Sequence, residues 1–197
     1  MEEALDHAVD IMQERGVGGL TISEMARRMG MKAPSLYKYF SSMHAAYDAL
    51  FARGLADSDA ALQHAIGSVP AGLPRIRVGV KVLVQWCVDH PALAQLLHWR
   101  VVPGFEPSPE VFAPSMRGMQ QLRTELAAAV AHGELHPRAD SDDAARLLTI
   151  LISGLITQQM ANQPGASYEA GLFTRLTDDA TDMFVAHHNP RRTECNP

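Results

Sequence analysis

Cysteine is scarce in this chain, with only Cys87 and Cys195 among 197 residues. One lies in an apolar run and the other in a polar tail, and their spacing makes neither a disulfide framework nor a zinc site. The pattern fits a reducing cytoplasm. An excess of positive charge is also missing. The net charge is -5, which excludes a basic nucleic-acid coat. The first ten residues, MEEALDHAVD, are acidic and amphipathic and do not read as a signal peptide. The longest apolar run, residues 144–156, contains Arg146 and is too short to span a bilayer. No convincing alternation of period two appears, and there is no internal repeat. No His, Cys, Asp or Glu set has metal-ligand spacing. No nucleophile–base constellation or phosphate loop is present. The expectation is a cytoplasmic protein that is not an enzyme, has no metal or cofactor, and does not partner a membrane.

Apolar residues do recur with a period near 3.6 along nearly the whole chain. Leu5, Ala8, Val9 and Met12 form the stripe of a first helix, about 2–15, ended by Gly16, Gly18 and Gly19. Thr21-Ile22-Ser23-Glu24 reads as a capping box. Ile22, Met25, Ala26 and Met29 then give a second helix that stops at Gly30 after two turns. Pro34 suits the first turn of a third helix, with Leu36 and Phe40 facing inward. Ser41 or Ser42 caps a fourth, whose stripe is Tyr47, Leu50, Phe51 and Leu55. After a break at 67–74, helices are expected at about 75–89, from Pro91, at about 112–130, at 142–163 and at 168–187. A loop fills 101–109.

The stretch MGMKAPSLYKYFSSMHAAYDALF, residues 29–51, places two tyrosines, two lysines and a proline around one turn and one short helix. A plain core helix has no use for them. Between Thr21 and His44 four cations, Arg27, Arg28, Lys32 and Lys38, face a single acid, Glu24, so the segment is locally positive within an acidic protein. Two helices joined by a tight glycine turn, the second exposing polar residues, form the helix-turn-helix pattern. Such a second helix lies in the major groove. Small Ala33 and Ser35 permit close approach, and Ala33 or Pro34 can meet a thymine methyl. Lys32 can reach a guanine edge or a phosphate. Tyr37, Lys38 and Tyr39 can donate to flanking phosphates, and Thr21 stands at a helix N-terminus where a phosphate binds.

The run LTISEMARRMGMKAPSLYKYFSSMHAAYDALF resembles the DNA-binding domain of TetR-family (tetracycline-repressor-like) transcriptional regulators. The likeness is carried by Leu20-Thr21, Ala26, Gly30, Leu36-Tyr37, Tyr39-Phe40 and the helix that follows, over roughly residues 2–55. Two positions depart from the family's pattern. Met43 stands where members often carry lysine, and Glu2 and Glu3 stand where many carry a basic arm. Modest DNA affinity, or stronger reliance on the remaining cations, is expected.

The resemblance implies an all-α chain: a three-helix helix-turn-helix DNA-binding domain over 1–46, a helical ligand-binding and dimerisation bundle over 47–188, and a disordered tail over 189–197. It implies a small-molecule pocket among the bundle helices, with Trp86, Phe105, Phe112, Met116 and Met119 as candidate walls. The few charges there point to a lipophilic or aromatic effector. His90, His98, Trp86 and Trp99 cluster around the break at Pro91, either as helix ends or as part of that wall. The 142–163 helix is apolar on more than one face, and small residues such as Gly154 allow close helix approach. With the final helix it forms an expected homodimer interface of Leu147, Leu151, Gly154, Leu155, Phe173, Leu176 and Phe184. The reading is a regulator, most readily a ligand-released repressor on a near-palindromic double-stranded DNA operator. The alternatives are an activator and a helical ligand- or protein-binding module with a vestigial DNA-binding domain.

Overall fold

The computed structural model describes residues 1–191; Cys195 and most of the expected tail, residues 192–197, lie outside the described residues. Among those described there is no strand. The α-helices are α1 (Glu2–Arg15), α2 (Ile22–Arg28), α3 (Ala33–Leu36), α4 (Met43–Ile66), α5 (Leu73–Asp89), α6 (Pro91–His98), α7 (Pro109–Ala131), α8 (Asp142–Asn162) and α9 (Thr177–His187). The chain forms two compact units. One joins Met1–Asp57 to His90–Pro114; the other joins Ser58–Asp89 to the chain from Ser115 onward. The boundary expected after residue 46 falls inside the first unit, within α4.

In the first unit, α1 stops where Gly16 takes a positive φ of 77°. A 3₁₀ turn, Val17–Gly19, leads to α2. The Thr21 side chain accepts from the Glu24 amide at 3.2 Å and caps α2. Gly30, at φ 63°, makes the tight turn to α3. The Ser42 hydroxyl accepts from the Ala45 amide at 3.1 Å and starts α4. Ile11, Met12, Met25, Leu36, Phe40 and Leu50 are buried together in this head. The Tyr47 hydroxyl donates to the Val17 carbonyl at 2.8 Å, pinning α4 to the α1–α2 connection.

In the second unit, Val80, Val84, Leu126, Leu148, Ile156 and Phe184 make the interior. Cys87 is buried there, and burial pushes its thiol up to about 12. The N-terminus of α5 is held by two carboxylates, which suits the positive end of a helix. Glu125 accepts from the Gly72 amide at 2.8 Å and pairs with Arg75 at 3.1 Å. Glu134 accepts from the Leu73 amide at 2.9 Å. Gly72 has φ 98°, and a Cβ there would lie 2.7 Å from a Glu134 carboxylate oxygen and 3.2 Å from the Ala129 backbone nitrogen. Gly72→Ala is therefore expected to destabilise the protein by about 1–3 kcal/mol. Thermal denaturation should show a melting point lower by several degrees; an unchanged value would mean the turn relaxes freely.

The last helix begins later than its apolar pattern implies. Residues 168–176 form turns and a 3₁₀ segment instead. The cause is buried Gln159, whose side-chain oxygen accepts from the Phe173 amide at 3.1 Å and whose nitrogen donates to the Gln163 carbonyl at 3.0 Å. That amide satisfies backbone groups a continuous helix would have paired within itself.

The apolar run 144–156 sits within the longer α8. Among the described residues α8 is the one helix long and apolar enough, by length and composition, to cross a membrane. Two aspartates and Arg146 occupy its first turns.

Candidate nucleic-acid interface

The α2–α3 pair is built so that one side is locked and the other is left open. Leu36 and Phe40 are fully within the head core. Between and beside them Lys32, Pro34, Tyr37, Lys38 and Tyr39 are exposed, while Ala33 and Ser35 are half-buried. Tyr37 is 54% and Tyr39 43% accessible. Exposing two large aromatic rings costs hydrophobic free energy unless another surface covers them. Thr21 is exposed, with its hydroxyl oxygen already accepting the Glu24 amide; the O–H remains able to donate. All eight residues singled out for DNA contact thus lie on the helix-turn-helix segment, and six of them are exposed.

The charge on this segment differs from its residue count. Arg27 makes two bonds to the Glu24 carboxylate, at 2.9 and 2.7 Å, and Arg15 adds a third at 3.0 Å. Arg28 reaches Glu14 on α1 and also Glu24. The reciprocal half of the expected capping box is therefore replaced: the Glu24 carboxylate goes to guanidinium groups instead of back to the Thr21 amide. Among the described residues Lys32 and Lys38 make no ion pair, and they are the segment's unneutralised cations. Glu14 of α1, which takes one of the two segment arginines, is too far away in sequence for a local charge count to include.

The arginines around Glu24, Arg27 first, hold its carboxyl at about 2, below the ordinary 4.5. A carboxyl lowered on folding contributes stability that is complete above about 4.5 and is lost as pH falls toward 2. Melting temperature followed from pH 7 downward should decline in that acid window, and Glu24→Gln should flatten this part of the slope. The same substitution releases positive charge, so a tighter, more salt-dependent association with any duplex should accompany it. An unchanged pH profile in Glu24→Gln would remove the carboxylate from the account.

The other expected residues are more scattered. Phe105 and Phe112 line a cavity in the first unit, together with His98 and Trp99. Trp86 is buried in the second unit, and Met116 and Met119 are exposed on α7; none of the three lines that cavity. On α8, Leu147, Leu151 and Leu155 are half-buried and Gly154 is exposed. Phe173 is half-buried and Leu176 exposed. Phe184 is only 1% accessible within its own unit, and its neighbour Met183 takes the outward position at 67%. Ile150, at 66%, is not marked out by the sequence pattern, although it shares a helix face with Gly154.

The locked-core, open-surface pair of short helices defines a helix-turn-helix DNA-binding domain. Residues 4–50 match the bacterial regulatory proteins of the tetR family. The chain is 41% identical over 51 residues to the class A tetracycline repressor protein from transposon 1721 of Escherichia coli; that stretch is 26% of this chain and 24% of the repressor. The match thus spans about a quarter of that protein's length. Similarity of fold runs much further. The transcriptional regulator FadR from Bacillus subtilis, solved with stearoyl-CoA, superposes with TM-score 0.78 at 15% identity, covering 94% of this chain and 97% of that one. The TetR-family transcriptional regulator PfmR from Thermus thermophilus superposes with TM-score 0.72 at 17% identity, covering 93% and 97%. Residues 4–50 thus carry the N-terminal domain of the tetR-family regulatory proteins, and the chain has the fold of solved TetR-family regulators.

Proposed function

We propose that the protein is a homodimeric transcriptional repressor in the cytoplasm that binds a near-palindromic operator and releases it when a small lipophilic or aromatic effector binds. The observation that carries the reading is the exposed set of Lys32, Tyr37, Lys38 and Tyr39 around a helix anchored by Leu36 and Phe40. Anchoring matters because contacts to phosphates set register only if the backbone that bears them is fixed. Pro34 and Ala33 offer apolar contact to base edges, and Lys32 offers a donor. Thr21 supplies a further phosphate contact from the start of α2.

A dimer is the natural partner of such a head, since two copies read two half-sites one helical turn apart. Ile150, Gly154, Leu172, Leu176 and Met183 provide an exposed, largely apolar face on α8 and the segment from 172 into α9. Leu147, Leu151, Leu155 and Phe173 flank it half-buried. Similarity to FadR, whose structure holds stearoyl-CoA, supports a small-molecule effector without saying which. Nothing in the reading calls for catalysis, a cofactor or a membrane partner.

The test is fluorescence anisotropy of the protein with duplex DNA from upstream of its own gene, against scrambled duplex, across a salt series. Sequence-dependent binding with a steep salt slope is expected. Equal, weak binding to both duplexes would sink the proposal and favour a vestigial DNA-binding domain.

A further inference from the structure

The exposed face of α8 and α9 carries two charges that its apolar residues do not explain. Arg146 stands one helical turn before Ile150 on α8, and Asp179 one turn before Met183 on α9. All four side chains are exposed. The other two acids of α9 are used within the chain: Asp178 pairs with Lys81 of α5 at 2.9 Å, and Asp182 with Arg77 at 2.6 Å. Among the described residues the Asp179 carboxylate makes no ion pair or hydrogen bond. Arg146 reaches Asp143 at 2.8 Å and Asp142 at 3.9 Å on its own helix. The side chains of Arg146 and Asp143 are 66% and 92% accessible, so water screens that contact and the guanidinium can turn to another carboxylate.

α8 and α9 pack against each other and run antiparallel. At one end the Gln159 side chain of α8 accepts from the amides of Phe173 and Thr174, just before α9, at 3.1 and 3.4 Å. At the other end Ala144 and Leu147 of α8 share a groove with His187 and His188. Ile150 lies nine residues before Gln159, and Met183 nine residues after Thr174. These two highly exposed apolar side chains therefore stand at one level on neighbouring helices. From that level Arg146 lies about 6 Å toward one end of the face and Asp179 about 6 Å toward the other. A two-fold axis normal to the face, passing between Ile150 and Met183, exchanges the ends and lays α9 of one copy over α8 of the other. It brings Asp179 of each copy to Arg146 of the other, and the same axis puts the apolar side chains at the centre of the contact. A cation and an anion placed equally on either side of an apolar centre make this face complementary to itself.

We propose that Asp179 of one protomer pairs with Arg146 of the partner subunit, twice per dimer, and that these two ion pairs set the register of the contact and its preference for a second copy of this chain. A helix pair of similar shape with its charges placed otherwise would oppose like charges or leave a carboxylate desolvated without a partner. The proposal rests on the homodimer reading and deepens it by naming the charges that choose the partner.

Sedimentation equilibrium of the full chain measures dimer dissociation for wild type, Arg146→Glu, Asp179→Lys and the two combined in one chain. Each single reversal opposes like charges twice per dimer and should weaken dimerisation about 30-fold. The combined variant again joins opposite charges and should return to within about threefold of wild type. Mixing the two single variants gives the sharper result. In a mixed dimer both contacts join opposite charges, whereas each homodimer opposes like ones, so native mass spectrometry of an equimolar mixture should show mainly the mixed dimer. A substitution that harmed only the fold would weaken the mixed dimer as well, so recovery on mixing separates pairing from folding. Should a reversed chain fail to fold, Arg146→Gln and Asp179→Asn take its place, and the two combined should be no weaker than the weaker single variant. A wild-type chain that sediments as a monomer would overturn the homodimer reading, and the ion pairs with it. A wild-type dimer insensitive to both reversals, weakening with no recovery on combination or mixing, or additive losses from the neutral substitutions would overturn the ion pairs and leave the homodimer reading standing.

Discussion

Tyr37→Ala combined with Lys38→Ala should lower operator affinity by about 100-fold at moderate salt, because a phosphate cation and an aromatic hydroxyl donor are lost together. Both side chains are exposed, so neither carries the head's packing. That position separates a binding effect from a folding effect. Leu36, between the cap and this turn, is fully buried, and truncating it would cost about 2–5 kcal/mol of stability instead. The salt series gives a second, independent readout. Removing one cation that displaces a counterion should lower the log–log salt slope by about 0.9. Far-UV circular dichroism and sedimentation should match the wild type. A contrasting variant sharpens the reading. Arg27→Ala is expected to change affinity little, since that guanidinium is already committed to Glu24 through two bonds. A double variant that binds operator within about threefold of wild type would remove Tyr37 and Lys38 from the interface, a change below about 1 kcal/mol.

That contrast between Lys38 and Arg27 also marks what the sequence reveals and what it hides. Local signals read well because their causes are local. The Thr21 cap, the Gly30 turn, Pro34 in the first turn of α3 and the inward Leu36 and Phe40 each depend on residues within a turn or two. Ion pairing does not. Glu14 lies fourteen residues from Arg28, and counting cations between 21 and 44 leaves it out. The phase of the last helix is hidden for a related reason. Buried Gln159 diverts the backbone at 173–174, so α9 starts at Thr177 and turns Phe184 inward and Met183 outward. Periodicity locates an apolar stripe but not the solvent side when both neighbours are apolar. The cavity shows the same limit. Phe105 and Phe112 are legible as aromatic residues within and just after a proline-rich loop, whereas Trp86 is an aromatic of equal promise in the sequence and is simply buried.

Ile150→Asp with Met183→Asp is expected to convert the protein to a monomer and to reduce operator affinity at least about 100-fold, because a single head keeps only half of the contacts. The two residues are 66% and 67% accessible, the most exposed large apolar side chains on α8 and α9. Aspartate at either position is comfortable in water and costs the single chain little beyond helix propensity. In a two-helix-on-two-helix dimer each would be buried opposite an apolar partner, and a carboxylate without a counter-charge there costs several kcal/mol. A symmetric interface counts each substitution twice. Gly154, on the same face as Ile150, makes a second probe of the same geometry: Gly154→Leu fills the space that close helix approach needs, while open space around the glycine leaves the isolated chain untouched. Sedimentation velocity at micromolar protein reads the oligomeric state directly, and anisotropy on a full operator against a single half-site reads its consequence. Monomers that retain half-site binding and lose the full-operator advantage would tie α8 and α9 to pairing of the heads. A doubly substituted protein that remains a dimer with full operator affinity would mean that the exposed face of Ile150 and Met183 is not where the subunits meet.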